Sequence, residues 1–290
     1  MHGIWLCRHK NLSPLPTAIP MTETASAILL GIIQGLTEFL PVSSSGHLII
    51  ASSLLGLEDD RTKTFEVVIQ LGSILAVVFL YWPRFKGLLL PRPGSRFSGF
   101  RGLYLLFLTC LPASIIGLLF HKTIKLYLFN PVSVAAALAV GALFILYAES
   151  KAGARKSPLT PEVTCVDDIT PKLALGIGCF QCLSLWPGFS RSTSTIMGGM
   201  LLGASRAVAA EYSFLAAVPI MVAATGLSLF SDAEKLSSAD IPFFAIGTFV
   251  SFLSALAAIK IFVSLISKIS FRPFAWYRLI IAPLVFWFWI

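Results

Sequence analysis

The chain has 290 residues, of which 56% are hydrophobic and only 12% charged, with a formal net charge of +8. A soluble domain carries about 25% charged residues to keep its surface wet, so these values and a mean hydropathy of +0.84 exclude a water-soluble enzyme and imply a chain surrounded by lipid. The basic residues sit in short stretches between apolar runs, which excludes a nucleic-acid partner and reads as membrane topology signal.

Residues 1–21 are an extension without the charged, apolar, small-residue order of a signal peptide. Met21 is the more natural start, and 22–290 reads as one polytopic membrane domain. Uninterrupted apolar runs follow at 65–82, 102–120, 131–148, 212–230, 241–259 and roughly 273–290. Each is near the ~20 residues that a helix needs to cross the hydrocarbon core. The last ends on Phe286–Ile290, rich in Phe and Trp like an interfacial anchor. Cys7, Cys110, Cys165, Cys179 and Cys182 are scattered, and the Cys179-x-x-Cys182 spacing has no second pair, so the cysteines are expected to pack.

Two regions break the pattern. Residues 25–57 and 173–204 hold shorter apolar stretches interrupted by Pro41–His47 (Pro-Val-Ser-Ser-Ser-Gly-His) and by Pro187–Thr195 (Pro-Gly-Phe-Ser-Arg-Ser-Thr-Ser-Thr). Non-helical backbone at membrane depth is tolerated only where protein or water satisfies it, so both read as re-entrant helix hairpins. With 83–101 on the cytoplasmic side, 149–172, 205–210 and 260–278 join it by alternation. The segments 57–64, 121–130 and 231–240 and the N-terminal tail then lie outside. Lys and Arg divide roughly two to one in favour of the inside. The expected fold is an all-α integral membrane protein of two inverted-topology repeats, about 25–148 and 173–290. Each repeat is a re-entrant hairpin plus three transmembrane helices. Phe65–Gln70 and Glu211–Ala216 are a local echo between them. Such folds place their site near the midplane, where broken helices meet.

Intramembrane charge marks that site, because Arg or a carboxylate at the bilayer centre costs about 2.5–3.5 kcal/mol. Glu38 and Arg191 are the clear cases, one in each hairpin. A structural ion pair is the plain reading, but His47 and the surrounding hydroxyls point to a polar reaction or binding site. Gln34 and Glu38 share a helix face and suit a hard cation such as Mg²⁺ or Ca²⁺. Ser43, Ser44 and Ser45 precede His47, which permits a nucleophile with a base. Ser190, Arg191, Ser192 and Thr195 combine hydroxyls, helix-start N–H groups and a guanidinium into a cradle for phosphate. Glu66 and Glu211 read as first-turn carboxylates favoured by the helix dipole, and His121 and His2 as loop or tail residues.

The run Gln34–His47 resembles the (Glu/Gln)-x-x-x-Glu signature and serine/histidine loop of undecaprenyl-diphosphate phosphatases, the bacitracin-resistance family. Pro187–Thr195 is similar to that family's Pro-Gly-x-Ser-Arg-Ser-x-x-Thr motif, with further agreement at 65–78, 111–117 and 129–131. Gln34 stands where many members have Glu, Thr193 replaces a common Gly and Ser45 a common Thr. The resemblance implies hydrolysis of undecaprenyl diphosphate, with recycling of the carrier lipid for peptidoglycan synthesis and resistance to bacitracin. It implies a divalent cation and a bacterial plasma-membrane location with the site open to the outer face. It makes Glu38, Ser44, His47 and Arg191 the essential positions. Gln34, Ser43, Ser190, Ser192 and Thr195 support them. Ser44, with His47 as base or acid, is the first choice of nucleophile, beside a His47 phosphoenzyme or direct attack by water. A transporter or flippase for an anionic lipid is the other class that the midplane site allows, a channel suits it less, and a homodimer is compatible with either.

Overall fold

The computed structural model describes residues 21–57, 59–91, 93–154, 163–232, 237–266 and 268–289. The extension before Met21, with Cys7 and His2, lies outside them, as does the last residue of the expected aromatic anchor. Among the described residues there are eleven α-helices: α1 (Glu23–Thr37), α2 (Ser44–Leu54), α3 (Asp60–Leu80), α4 (Trp82–Leu89), α5 (Gly99–Leu128), α6 (Pro131–Ala154), α7 (Pro171–Gln181), α8 (Arg191–Leu201), α9 (Arg206–Asp232), α10 (Ile241–Ile266) and α11 (Arg272–Trp289). The one isolated β-bridge among these residues joins Val163 to Ala204.

Among the described residues five stretches, in α3, α5, α6 and α9 and at Ser238–Ile266, which includes α10, are long and apolar enough to cross a membrane. The protein is an all-α, multi-pass membrane protein. The sixth expected run is indeed a helix, α11, but it carries Arg272 and Arg278 and falls outside the five. Large apolar side chains such as Phe100, Phe230 and Leu119 are exposed along the helices, where lipid rather than water covers them.

The loop boundaries move. Segment 83–101 contains the short helix α4, whose Pro83 sits in the first turn, where its missing N–H is not needed. Segment 121–130 is mostly the continuation of α5, so His121 is helical rather than in a loop. Lys260 lies within α10 and Arg278 within α11, so neither belongs to a loop between them. Glu66 and Glu211 sit past the first turns of α3 and α9. Glu66 accepts a hydrogen bond from Ser52 and Glu211 pairs with Arg84.

Ion pairs tie the connections into two groups. Arg84 bridges Asp167 and Glu211, Phe97 N donates to Asp167, Arg206 pairs with Glu149, and Phe271 N donates to the same Glu149. Arg61 instead joins Glu23 and Asp240. These are the two sets of segments that loop charge separates.

Each short hairpin packs against the opposite half of the chain. Helix α1 lies on α10, α7 on α5, α2 on α11 and α8 on α6. Between α1 and α10 the contact is glycine-lined. A Cβ added at Gly31 would lie 2.6 Å from the Gly247 carbonyl oxygen. Without a hydrophobic drive between helices in lipid, such small residues let backbones close enough for dispersion to hold them. The tips of the two hairpins are thereby brought together in the middle of the bundle.

Candidate active site

The first hairpin turns between α1 and α2 at residues 38–43. Glu38 caps α1 through its N–H to the Gln34 carbonyl at 3.0 Å. Ser43 caps α2 with φ 72, its hydroxyl accepting from Gly46 N at 3.4 Å. The second hairpin turns between α7 and α8 through a 3-10 turn (Cys182–Leu185) and the Pro187-Gly188 pair. Gly188 has φ +93, and a Cβ there would run into Val134 of α6, so only glycine lets the loop pass. Trp186 Nε1 ties this loop to the Ser133 hydroxyl at 2.8 Å.

The two turns enclose a cavity of about 160 Å³ lined by Glu38, Ser43, Ser44, Ser45, Gln70, Ser184, Pro187, Gly188, Ser190, Arg191 and Met221. That is roughly the space of five waters. Helices α2 and α8 both begin here, and their N-terminal N–H groups and dipoles favour an anion. Arg191 Nη2 lies 3.5 Å from Glu38 Oε1 across the cavity. Its Nη1 donates to the Ser213 carbonyl at 3.1 Å, which fixes one side of the guanidinium. Nε and Nη2, the opposite edge, are buried and make no hydrogen bond, the ion pair to Glu38 being all that Nη2 has. Donors buried without a hydrogen bond are costly. Two parallel N–H groups match two oxygens of a phosphate.

Ser44 donates its hydroxyl to Glu38 Oε2 at 2.7 Å, and Gln34 Nε2 donates to the same oxygen at 2.9 Å. The hydroxyl therefore has a carboxylate to receive its proton. His47 stands elsewhere. Its Nδ1 lies 2.7 Å from the Ser43 carbonyl and its Nε2 2.6 Å from the Tyr277 hydroxyl. A carbonyl only accepts, so Nδ1 carries the hydrogen and Nε2 takes one from Tyr277. The expected pairing of Ser44 with His47 is replaced by Ser44 with Glu38, because the positive-φ turn at Ser43 directs the two side chains to different partners.

Ser43, Ser45 and Ser190 line the cavity as expected for phosphate contact. Ser192 and Thr195 do not. Ser192 is fully buried and donates to the Leu40 carbonyl of the first hairpin at 2.8 Å. Thr195 Oγ1 lies 2.6 Å from Ser213 Oγ, the residue that holds Arg191. Both contact neighbours of the cavity rather than the cavity itself. Gln70 and Ser184 line the cavity without having been singled out. Gln70 falls in the matched run 65–78, and a glutamine in an apolar helix was the available signal.

Among the described residues no three His, Cys, Asp or Glu side chains come together as a metal cage. The oxygens on offer to a hard cation are those of Glu38 and of Gln34, whose Oε1 is buried without a hydrogen-bond partner. Oxygen donors of this kind are those that Mg²⁺ or Ca²⁺ takes, but only Glu38 of the two lines the cavity, and Gln34 turns its Nε2 toward Glu38.

Taken together, two broken helix pairs and a polar cavity holding a guanidinium beside a carboxylate-bonded serine define a polytopic membrane protein with a buried polar site. The chain belongs to the bacitracin resistance protein BacA family, whose profile matches residues 27–284. It is 62% identical to an undecaprenyl-diphosphatase of Maridesulfovibrio salexigens over 93% of this chain and 100% of that one. The undecaprenyl-diphosphatase of Nitratidesulfovibrio vulgaris strain DP4 is 60% identical over 92% of this chain and 99% of its own, and that of Lawsonia intracellularis 53% over 92% and 98%.

Proposed function

We infer that this chain is a membrane phosphatase that hydrolyses undecaprenyl diphosphate to undecaprenyl phosphate and inorganic phosphate. The observation that carries the reading is the Ser44–Glu38 hydrogen bond facing the Nε/Nη2 edge of Arg191, which makes no hydrogen bond of its own, across one cavity. A binding or flipping protein needs the guanidinium but has no use for a hydroxyl bonded to a carboxylate, and its relatives' names add nothing to that alternative.

In this reading the diphosphate head enters between the hairpin tips while the prenyl tail stays in lipid. Arg191 leaves Glu38 for the terminal phosphate, and the N-termini of α2 and α8 hold its remaining oxygens. Glu38 takes the Ser44 proton as Oγ attacks phosphorus, and the bond from phosphorus to the bridging oxygen breaks. Glu38 passes that proton to the departing undecaprenyl phosphate and, ionised again, takes a proton from the water that releases inorganic phosphate from Ser44. Glu38 and Gln34 would hold a divalent cation together with the substrate, where it would neutralise diphosphate oxygens. His47 orients the turn.

We further place the chain in the bacterial plasma membrane as two inverted repeats, α1–α6 and α7–α11. The Arg84 and Arg101 side faces the cytoplasm, and the cavity draws lipid from the outer leaflet. Its role there is to recycle the carrier for peptidoglycan synthesis, which accounts for bacitracin resistance. The cavity takes all its residues from one chain, so the reading requires no homodimer. The test is phosphate release from polyprenyl diphosphate by the purified protein, with and without chelator. Binding of the lipid with no release by active-folded protein would overturn the assignment in favour of transport.

A further inference from the structure

We propose that Tyr277 and Arg278, consecutive residues of α11, are positioning residues that set the spacing of the two hairpin loops, so that Ser44 and Arg191 address one phosphate. The proposal rests on the reading of those two residues given above.

Arg278 is completely buried. Its guanidinium gathers carbonyls from three separate parts of the chain. Nη1 donates to Phe189 O at 2.9 Å and Pro41 O at 3.4 Å, and Nη2 to Gly188 O at 2.9 Å and Ala137 O at 3.2 Å. Nε donates to Leu138 O at 3.1 Å, and Nη1 reaches the Thr193 hydroxyl at 2.7 Å. Pro41 belongs to the first loop, Gly188 and Phe189 to the second, and Thr193 to the first turn of α8. No carboxylate is among these partners. A buried cation held only by carbonyls and one hydroxyl is an expensive way to fill space. What it provides over leucine is a rigid five-donor fork that ties both loops to α6 and to each other.

Tyr277 completes the hold on the first loop. Its hydroxyl meets His47 Nε2, its ring stacks on the imidazole at 5.5 Å, and His47 Nδ1 grips the Ser43 carbonyl. That carbonyl belongs to the peptide that leads directly into Ser44. Helix α11 thus grasps loop one at Pro41 and Ser43, and loop two at Gly188, Phe189 and Thr193. Gly141 of α6 is part of the same device, because a Cβ at that position would strike the Arg278 guanidinium.

The test uses full-length protein in detergent micelles with polyprenyl diphosphate as substrate. Arg278→Lys, Gly141→Ala and Tyr277→Phe are each made in the wild-type and in the Ser44→Ala background. A single ammonium cannot reach six acceptors, so Arg278→Lys should lower kcat about 30-fold or more with KM within about threefold, as a misplaced reacting group does. Gly141→Ala should lower kcat about tenfold and Tyr277→Phe about fivefold on the same grounds. In the Ser44→Ala background none of the three should lower the residual rate further, since the alignment that they disturb no longer matters.

If Arg278→Lys does not fold, Gly141→Ala decides, because alanine favours a helix over glycine. Wild-type kcat within about twofold in Gly141→Ala and Tyr277→Phe would overturn the brace. So would equal proportional losses in both backgrounds, the mark of a merely structural effect. Equal turnover by wild type and Ser44→Ala would instead sink the nucleophile assignment, and the brace would lose its object with it.

Discussion

Ser43 and Ser190 hold the same pose in the two hairpins. They are the only non-glycine residues with positive φ among those described, at 72 and 79. Each caps an 11-residue helix by accepting from the N–H three positions on, and both helices run out through Leu-Leu-Gly, closing on Gly56 and Gly203 with φ 68 and 107. The residue that follows each serine is therefore structurally equivalent: Ser44 in one hairpin, Arg191 in the other. The Ser44 hydroxyl and the Arg191 guanidinium stand on one backbone position used twice. A serine at positive φ costs about 1–3 kcal/mol, which two independent turns would have no reason to share.

From the Nε/Nη2 edge of Arg191, which makes no hydrogen bond within the protein, it follows that Arg191→Lys should be nearly as damaging as Arg191→Ala. An ammonium supplies charge but not two parallel donors. Phosphate release at saturating cation should fall about 100-fold or more in both, roughly 2.7 kcal/mol of transition-state stabilisation. Near-wild-type turnover by the lysine variant would show that charge alone is used.

Glu38→Gln and Ser44→Ala should each cut kcat by about 100-fold or more, because they remove the two ends of one proton transfer. The pair should be far from additive, with the double variant no worse than about threefold below the poorer single one. Losses that multiply would separate the two residues mechanistically.

His47→Gln is expected to retain about a tenth of wild-type turnover, well above Ser44→Ala, since His47 bonds the Ser43 carbonyl and Tyr277 rather than the Ser44 hydroxyl. Parity between His47→Gln and Ser44→Ala in phosphate release would restore histidine as the base.

At the α1–α10 crossing, Gly31→Val should destabilise the protein by about 1–3 kcal/mol, the usual range for forcing atoms into a filled contact. Thermal unfolding in detergent measures it. An unchanged midpoint would mean that the two helices separate without loss.

The Asp167 carboxyl, in the connection before α7, is pushed up by burial but more than offset by the Phe97 N–H, the Ser95 hydroxyl and Arg84, and ends well below its ordinary value of 3.8. A depressed carboxyl stabilises the folded state above the unfolded value, and the contribution is lost as pH falls through the folded one. Asp167→Asn should therefore lower the unfolding midpoint at neutral pH, with the gap to wild type narrowing below about pH 4. A gap constant with pH would rule out the carboxylate charge as its cause.

Much of this was legible beforehand because lipid makes polarity conspicuous. Glu38 and Arg191 stood out as charges in apolar surroundings, and Pro41 and Pro187-Gly188 marked where helices had to break. The grouping of connections followed from Lys and Arg, and the ion pairs of Arg84, Arg206 and Arg61 fall into the same two sets. Arg278 was misassigned to a connection because nothing local distinguishes an arginine near a helix end from one aimed inward. Its partners are backbone carbonyls, which leave no trace in residue type. The Ser44–Glu38 bond was missed for a related reason: serine does not announce a positive φ as glycine does, so the direction in which the turn would send His47 could not be read.

The burial of Arg278 also bears on how the chain is made. Every carbonyl that receives its guanidinium, from Pro41 to Phe189, precedes it in sequence, whereas α11 alone offers the bilayer an arginine with nothing to satisfy it. An arginine at the membrane centre by itself costs about 2.5–3.5 kcal/mol on insertion. Emerging after them from the ribosome, α11 meets acceptors that are already synthesised. Its entry is then coupled to the docking of both hairpins.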